Sequence, residues 1–527
     1  MIANVPWPSL SHLGSNAFHI DYCEGTGAAR RFFPLEPNQA KAALETRRAR
    51  RYPRVALAAA LDQYLGEIGV PAKARANAAA LADDDTYCII TGQQAGFMGG
   101  PAYTAFKIAT TIRLAASWQE RLGVRIVPMF WLASEDHDLQ EINHAFYQQS
   151  DGEIGRVAFG WEEEGMPVAD MPLHEEVRRA WDAYWEAMRG QPQRDAAMAA
   201  MAPRDDEGYA RWQARVWSSM FAGAGLVVFE PSVLRPLGGR LMAQMAGAEH
   251  AIGRGLQGIA ARLQSAGYQP ALDPEAYGCL FVVDGSAGRR IRVPDGPAVA
   301  QDVERHPQRY STDAALRPVF ADAILPVLAN VLGPGELAYH AMLSPVYKAL
   351  DVPQPVAFPR KSYTLVTTEE ANRLAAYGTS PRSILQQAQE PSDAADSLAS
   401  REHRRLFRTA RRQIEEAYEP LKDYVVGQDP NLAKTWESTL GSAKRALDKL
   451  EDRAIKAALS RQGLSKGDFR ALRNVLLPRD RLQERVYPLA WYLARCGLGL
   501  LDDLLTWGEL DAFQHEIVTW EDQGADM

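Results

Sequence analysis

The segment from Tyr87 to Lys107 reads as a β-strand, a glycine-rich loop and the start of a helix, and this order constrains the chain more than any other feature in it. Tyr87-Cys-Ile-Ile is an apolar run of β type, the glycines after it let the backbone turn sharply, and Pro101 suits a first helical turn because it lacks the amide hydrogen that would go unpaired there. A second apolar run, Ile126 to Ala133, ends in Ser134-Glu135-Asp136-His137-Asp138. Two strands therefore deliver polar side chains at their carboxyl ends, the edge of an open parallel sheet at which ligands bind.

Short strands are also expected at residues 226–229, 280–283 and 355–358, alternating with helices around 209–221, 234–265 and 336–350. This alternation predicts an α/β fold with a parallel sheet. Two regions interrupt it: 152–204, rich in Trp, Glu and Met, and 268–313, with short strands and Gly/Pro turns. Read as insertions, they divide the core into 1–151, 205–267 and 314–378. From Thr379 the texture becomes helical. Leu432, Trp436, Leu440, Ala443, Leu447, Leu450, Ala454 and Ala457 follow the threes and fours of a coiled-coil seam. An earlier helix, bent or broken at Pro420, and the reversal Gly427-Gln-Asp-Pro430 make this an antiparallel hairpin within 379–475. Residues 476–527 are expected to be helical and to pack back on the core.

The chain of 527 residues carries a formal charge of -8, so nothing global favours nucleic acid or an anionic membrane surface. Cys23, Cys88, Cys279 and Cys496 are scattered without a CxxC pair, which suits a reducing, cytoplasmic setting. The amino terminus lacks the basic and apolar regions of a secretory signal. The most apolar long stretch, Val319 to Leu332, is broken by Asp322 and Pro326, short of the roughly 20 apolar residues of a membrane span.

In the first loop, Thr91, Gly92, Gln93 and Gln94 offer amides and a hydroxyl beside a helix start, with Lys107 on the helix face of Tyr103 and Thr104. Such a place attracts carboxylate or phosphate. The plainer reading is a tight turn and a surface lysine, since neither GxxxxGK[ST] nor GxGxxG is matched. The acidic turn is harder to explain as packing, because Glu135, Asp136 and Asp138 buried together without partners would be costly. His137, Glu141 and His144 fall at helical spacing, but a hydrogen-bonded pocket or a helix cap is commoner than a metal site, and no metal is expected. His137 beside a carboxylate would serve as a general base. Gly333-Pro-Gly-Glu336 with Tyr339 and His340 again sets glycines before a helix. The arginine stripe at 401, 404, 405, 408, 411 and 412 is followed at once by Glu415, Glu416 and Glu419 and reads as a solvated face.

Thr91-Gly-Gln-Gln with Gly100-Pro-Ala-Tyr and Lys107, Ser134 to Asp138 with Glu141 and Asn143-His144, Gly333 to Glu336, Pro359-Arg360 and Leu482-Gln-Glu-Arg485 together resemble the bacillithiol biosynthesis cysteine-adding enzyme family, in order and over nearly the whole chain. Ala95 and Gly99 depart from the family pattern. The resemblance implies a Rossmann-type core with two connective insertions, akin to class I nucleotidyltransferases and aminoacyl-tRNA synthetases, and an antiparallel coiled-coil domain through which two subunits associate. It further implies a ligase that joins cysteine to glucosaminyl-malate.

Amide formation from a carboxylate needs activation, and ATP or another nucleotide is the expected source. In this reading Gln94, Lys107, Asp136, His137 and Asp138 are catalytic, His137 taking the amine proton. Thr91, Gly92, Gln93, Tyr103, Ser134, Glu135, Asn143 and Arg360 bind the substrates, with Arg360 on the malate carboxylates. Gly333, Gly335, Glu336, Tyr339 and Arg485 bind the nucleotide. A nucleotidyltransferase-like enzyme acting on another amino acid or on RNA would share the core, and a non-enzymatic coiled-coil assembly protein would share the hairpin.

Overall fold

The computed structural model describes residues 1–136, 139–160, 166–275, 280–284, 289–293, 297–387 and 401–521. Its strands in chain order are β1 (Ile2–Val5), β2 (Thr86–Gln93), β3 (Arg125–Leu132), β4 (His144–Gln148), β5 (Ile154–Ala158), β6 (Val227–Phe229), β7 (Leu280–Asp284), β8 (Arg289–Arg292), β9 (Tyr310–Thr312), β10 (Val327–Leu332), β11 (Val356–Pro359), β12 (Ser362–Thr367) and β13 (His515–Trp520).

The central sheet has the order β11-β10-β2-β3-β6, and every pairing in it is parallel. Ile89, Met129, Phe130, Val227, Leu328 and Val331 are fully buried, as expected of parallel strands covered on both faces. The helix Tyr103–Leu122 carries the chain from β2 to β3, buries Phe106, Ile108 and Leu114, and ends at Gly123 in the left-handed region (φ 67°). After β6 the chain crosses to the other side of β2 and lays down β10 and then β11. The winding therefore reverses between β2 and β10, and the crevice beyond their carboxyl ends is the topological switch point of the sheet.

The loop after β2 folds tightly: a Cβ on Gly96 would lie 2.5 Å from the Gly100 Cα, and Gly100 has φ 62°. Residues near the carboxyl end clasp this loop, the Ala102 amide donating to the Tyr487 carbonyl (3.0 Å) and the Leu489 amide to that of Gly100 (3.0 Å).

The two regions that interrupt the α/β rhythm each form structure of their own. The first contributes β5, which pairs with β4, and the helix Glu175–Ala187, whose Trp181 and Trp185 pack edge to face in the core with Trp212 close by. The second forms an antiparallel sheet of order β8-β7-β9. The helices Arg401–Gln428 and Leu432–Arg461 form the hairpin, the first passing through Pro420 without ending. Of the arginine stripe on it, Arg405, Arg408, Arg411 and Arg412 are exposed as expected; Arg411 pairs with Asp448 (2.8 Å) and Glu451, and Arg412 with Glu416 (3.4 Å).

Among the described residues six strands, β1, β4, β5, β10, β12 and β13, stand where the sequence reading expects none. β10 was hidden inside the apolar stretch 319–332. The segment 476–527 is expected to be helical; its described part, 476–521, packs on the core but also contributes β13, which pairs parallel with β12 and antiparallel with β1. His515 fixes that register from within, fully buried between the hydroxyls of Ser362 (2.8 Å) and Thr364 (2.9 Å).

Candidate active site

A cavity of about 580 Å3 fills the switch-point crevice, within the roughly 300–1,000 Å3 common for small-molecule sites. The end of β2 supplies Thr91, Gly92, Gln93 and Gln94; the following helix, Tyr103 and Lys107; the end of β3, Asp136; and the turn after β10, Gly333, Gly335, Glu336 and Tyr339. Arg360 enters from the end of β11 and Arg485 from the carboxyl-terminal clasp. The glutamine-bearing bend and the acidic bend share one wall.

Lys107 is the hub. It is 1% exposed and donates to the Gly92 carbonyl, to Gln93 Oε1 (3.2 Å) and to Glu336 Oε1 (2.7 Å). Burial pulls its pKa down while the Glu336 charge opposes the pull. Glu336 is itself fixed, its Oε2 accepting from the Gly333 amide (2.7 Å). Gln93 donates through Nε2 to the Tyr103 hydroxyl (3.3 Å), whose pKa burial pushes up to about 12. The Gln94 side chain makes no hydrogen bond among the described residues and lines the cavity.

Several residues singled out in the sequence are engaged elsewhere. The Thr91 hydroxyl donates to the Val331 carbonyl (2.8 Å), tying β2 to β10, so its one proton is committed to the fold. Ser134 is buried and donates to Glu230 (2.6 Å), which the Tyr64 hydroxyl also reaches (2.8 Å). Asn143 donates to the Phe159 carbonyl (2.9 Å) beside the β4–β5 hairpin and does not line the cavity. Glu135, 3% exposed, takes two bonds from Arg235 (2.9 and 2.6 Å) and lies 3.7 Å from Arg317. Asp136 is gripped by both Nη atoms of Arg317 (2.8 and 2.6 Å). His137 and Asp138 lie outside the described residues.

Arg360 lines the cavity with its guanidinium over the Tyr103 ring (5.4 Å), but its two Nη atoms hold Glu484 (3.0 and 2.5 Å). Burial would raise the Glu484 carboxyl; the Arg360 charge and hydrogen bonds outweigh it and hold the group below its usual range. Arg485 is exposed and makes no ion pair or hydrogen bond among the described residues, so it brings an open guanidinium to the cavity.

Sequence reasoning missed Arg235 and Arg317, which neutralise the acidic turn, and Asp322 and Asn330, which line the floor. In the sequence Asp322 reads only as a break in an apolar stretch. Its Oδ2 accepts from Asn330 (3.0 Å) and from the Tyr347 hydroxyl. His340 lines the same floor, and burial lowers its pKa to about 4, so it is neutral at physiological pH.

Sheet order, switch-point cavity and helical hairpin define an α/β protein with a Rossmann-like core and an appended coiled coil. The chain belongs to the bacillithiol biosynthesis BshC family: residues 6–361 match the family's N-terminal Rossmann-like domain and residues 363–520 its C-terminal coiled-coil domain. Relatives named "Putative cysteine ligase BshC" include those of Geobacillus thermodenitrificans (27% identical over 98% of this chain and 99% of the relative), Symbiobacterium thermophilum (29%, over 86% and 87%) and Salinibacter ruber (27%, over 95% of each).

Proposed function

We propose that the switch-point cavity joins the carboxyl group of cysteine to the amine of glucosaminyl-malate, completing the bacillithiol skeleton, and that the chain works in the cytoplasm as a homodimer associated through its hairpin. The observation that carries the reading is the Lys107 hub. A buried ammonium whose three protons go to Gly92, Gln93 and Glu336 locks those groups in place beside the open amide of Gln94, which is left preorganised to donate to negative charge developing on an acyl oxygen. A nucleotide supplies the activation that a carboxylate needs. The Gly333–Tyr339 wall fits one, because Gly335 is exposed and a Cβ there would meet nothing within 4 Å, leaving its backbone open to close approach.

Arg360 keeps Tyr103 and the Glu484 segment in place, and the malate carboxylates fall to Arg485, whose fork is open. Asp136, neutralised by Arg317, serves as an anchor for the turn that carries His137, the residue assigned to take the amine proton. Purified protein given cysteine, glucosaminyl-malate and ATP is expected to form bacillithiol, read by mass spectrometry. Lys107→Met and Gln94→Ala are each expected to slow turnover by about a hundredfold. Full turnover in both would remove the hub from the chemistry.

A further inference from the structure

The opposite, amino-terminal edge of the central sheet holds a second cavity of about 630 Å3, beside the start of β2. Five arginines line it, Arg47, Arg48, Arg50, Arg51 and Arg54, against the two carboxylates Asp84 and Asp85. Some of these are spent on the fold. Arg54 donates to the carbonyls of Asp83 and Thr86 (2.7 Å each) and Asp84 (2.8 Å), and Arg48 pairs with Asp85 (2.9 Å). Arg50 reaches the Asp351 carbonyl (2.6 Å) through Nη1.

What is left over is informative. Arg47 is 1% exposed, and only its Nε is used, on the Val327 carbonyl; Nη1 and Nη2 are buried with no hydrogen-bond partner. Arg50 Nε is likewise buried and unpartnered. The Tyr52 hydroxyl lies beside Arg47, near enough to feel its charge and a weak side-chain hydrogen bond, but short of full hydrogen-bond geometry. Arg51 is exposed and makes no ion pair or hydrogen bond among the described residues. Asp322 approaches Arg47 closely enough for their charges to interact, yet its Oδ1 is unpartnered too, so the two groups are not bonded. Buried polar groups without partners are costly and rare in native proteins. Several donors orphaned around one cavity, with an excess of positive charge, describe the imprint of an oxyanion.

We propose that this cavity binds a phosphate-type anion, either free phosphate or pyrophosphate or the phosphates of a nucleotide, gripped by the open edge of Arg47 with Arg50 and Arg51 around it. The planar guanidinium fork matches two oxygens of a phosphoryl group at once. The site is separate from the switch-point cavity and does not depend on the ligase reading.

Calorimetry on the full-length protein at fixed ionic strength tests it, with pyrophosphate as the probe and phosphate and ATP as parallel arms. Arg47→Lys keeps the charge and loses the fork, and is expected to weaken pyrophosphate binding about tenfold. Arg51→Ala, at an exposed position whose loss leaves the fold intact, is expected to weaken it about threefold, while Arg485→Ala in the other cavity leaves it unchanged. A response of ATP to the same two variants assigns the site to a nucleotide; a response confined to phosphate and pyrophosphate assigns it to the free anion. Pyrophosphate binding no stronger than that of chloride, or affinities indifferent to both Arg47→Lys and Arg51→Ala, overturns the proposal.

Discussion

Asp322 is wholly buried on the cavity floor, and burial raises its carboxyl to about 6 although Arg47, Tyr347 and Asn330 oppose the shift. Because the folded-state value lies above the unfolded one, the native protein holds this proton through a range in which the unfolded chain has released it. The associated stability is full below pH about 4 and is lost as the pH rises through the folded-state value. Asp322→Asn keeps an acceptor for Asn330 and Tyr347 and removes the charge. It is expected to be more stable than the parent by roughly 2–3 kcal/mol above pH 7, the gap closing toward pH 4. Denaturant unfolding across that range checks this, and parallel pH profiles would refute it. Residues on this scale were legible in the sequence only where their partners are local. Gln93, Tyr103 and Lys107 lie within one turn of loop and helix, so their meeting could be read. The partners of the acidic turn could not, since Arg235 stands 100 residues from Glu135 and Arg317 stands 181 from Asp136.

Among elements, the joint that sets the cavity wall is the buried pair of Arg360, at the end of β11, with Glu484 in the carboxyl-terminal clasp; their side chains are 3% and 0% exposed. Breaking one partner strands the other charge in the interior, so Arg360→Met is expected to cost about 3–5 kcal/mol. Adding Glu484→Leu to that variant should restore most of the loss, because the desolvation of the stranded carboxylate disappears with it. Urea unfolding of the two single variants and the double closes the cycle; a double variant as unstable as the sum of the singles would show that the pair does not act as a unit. The elements themselves were partly legible. β2 and β3 announce themselves because each apolar run stops at a polar turn. β10 is buried along its whole length and follows directly on the helix Leu316–Ile324, so strand and helix merge into one apolar stretch in which no period of two appears. β13 has only six residues, and its partners β1 and β12 lie far away in sequence, leaving nothing local to mark it.

For the molecule as a whole, the unresolved demand is the outer surface of the hairpin. Leu406 (55% exposed), Leu421 (50%) and Tyr424 (68%) stand out in water on its first helix, and Leu450 (59%), a seam position in the sequence pattern, is exposed on the second instead of packed between the helices. Exposed large apolar groups gathered on one extended element mark an association surface. In the proposed homodimer a second copy of the hairpin would meet this demand symmetrically, since a twofold interface presents the same patch twice. Leu421→Asp with Tyr424→Asp is therefore expected to convert a dimer into a monomer in sedimentation equilibrium at micromolar concentration. The switch-point cavity is lined by the Rossmann-like part and Arg485 and by no residue of the two hairpin helices, so it should still bind cysteine in that monomer, which calorimetry can read. A parent protein that sediments as a monomer, or a double variant that stays dimeric, would place subunit contact away from this face.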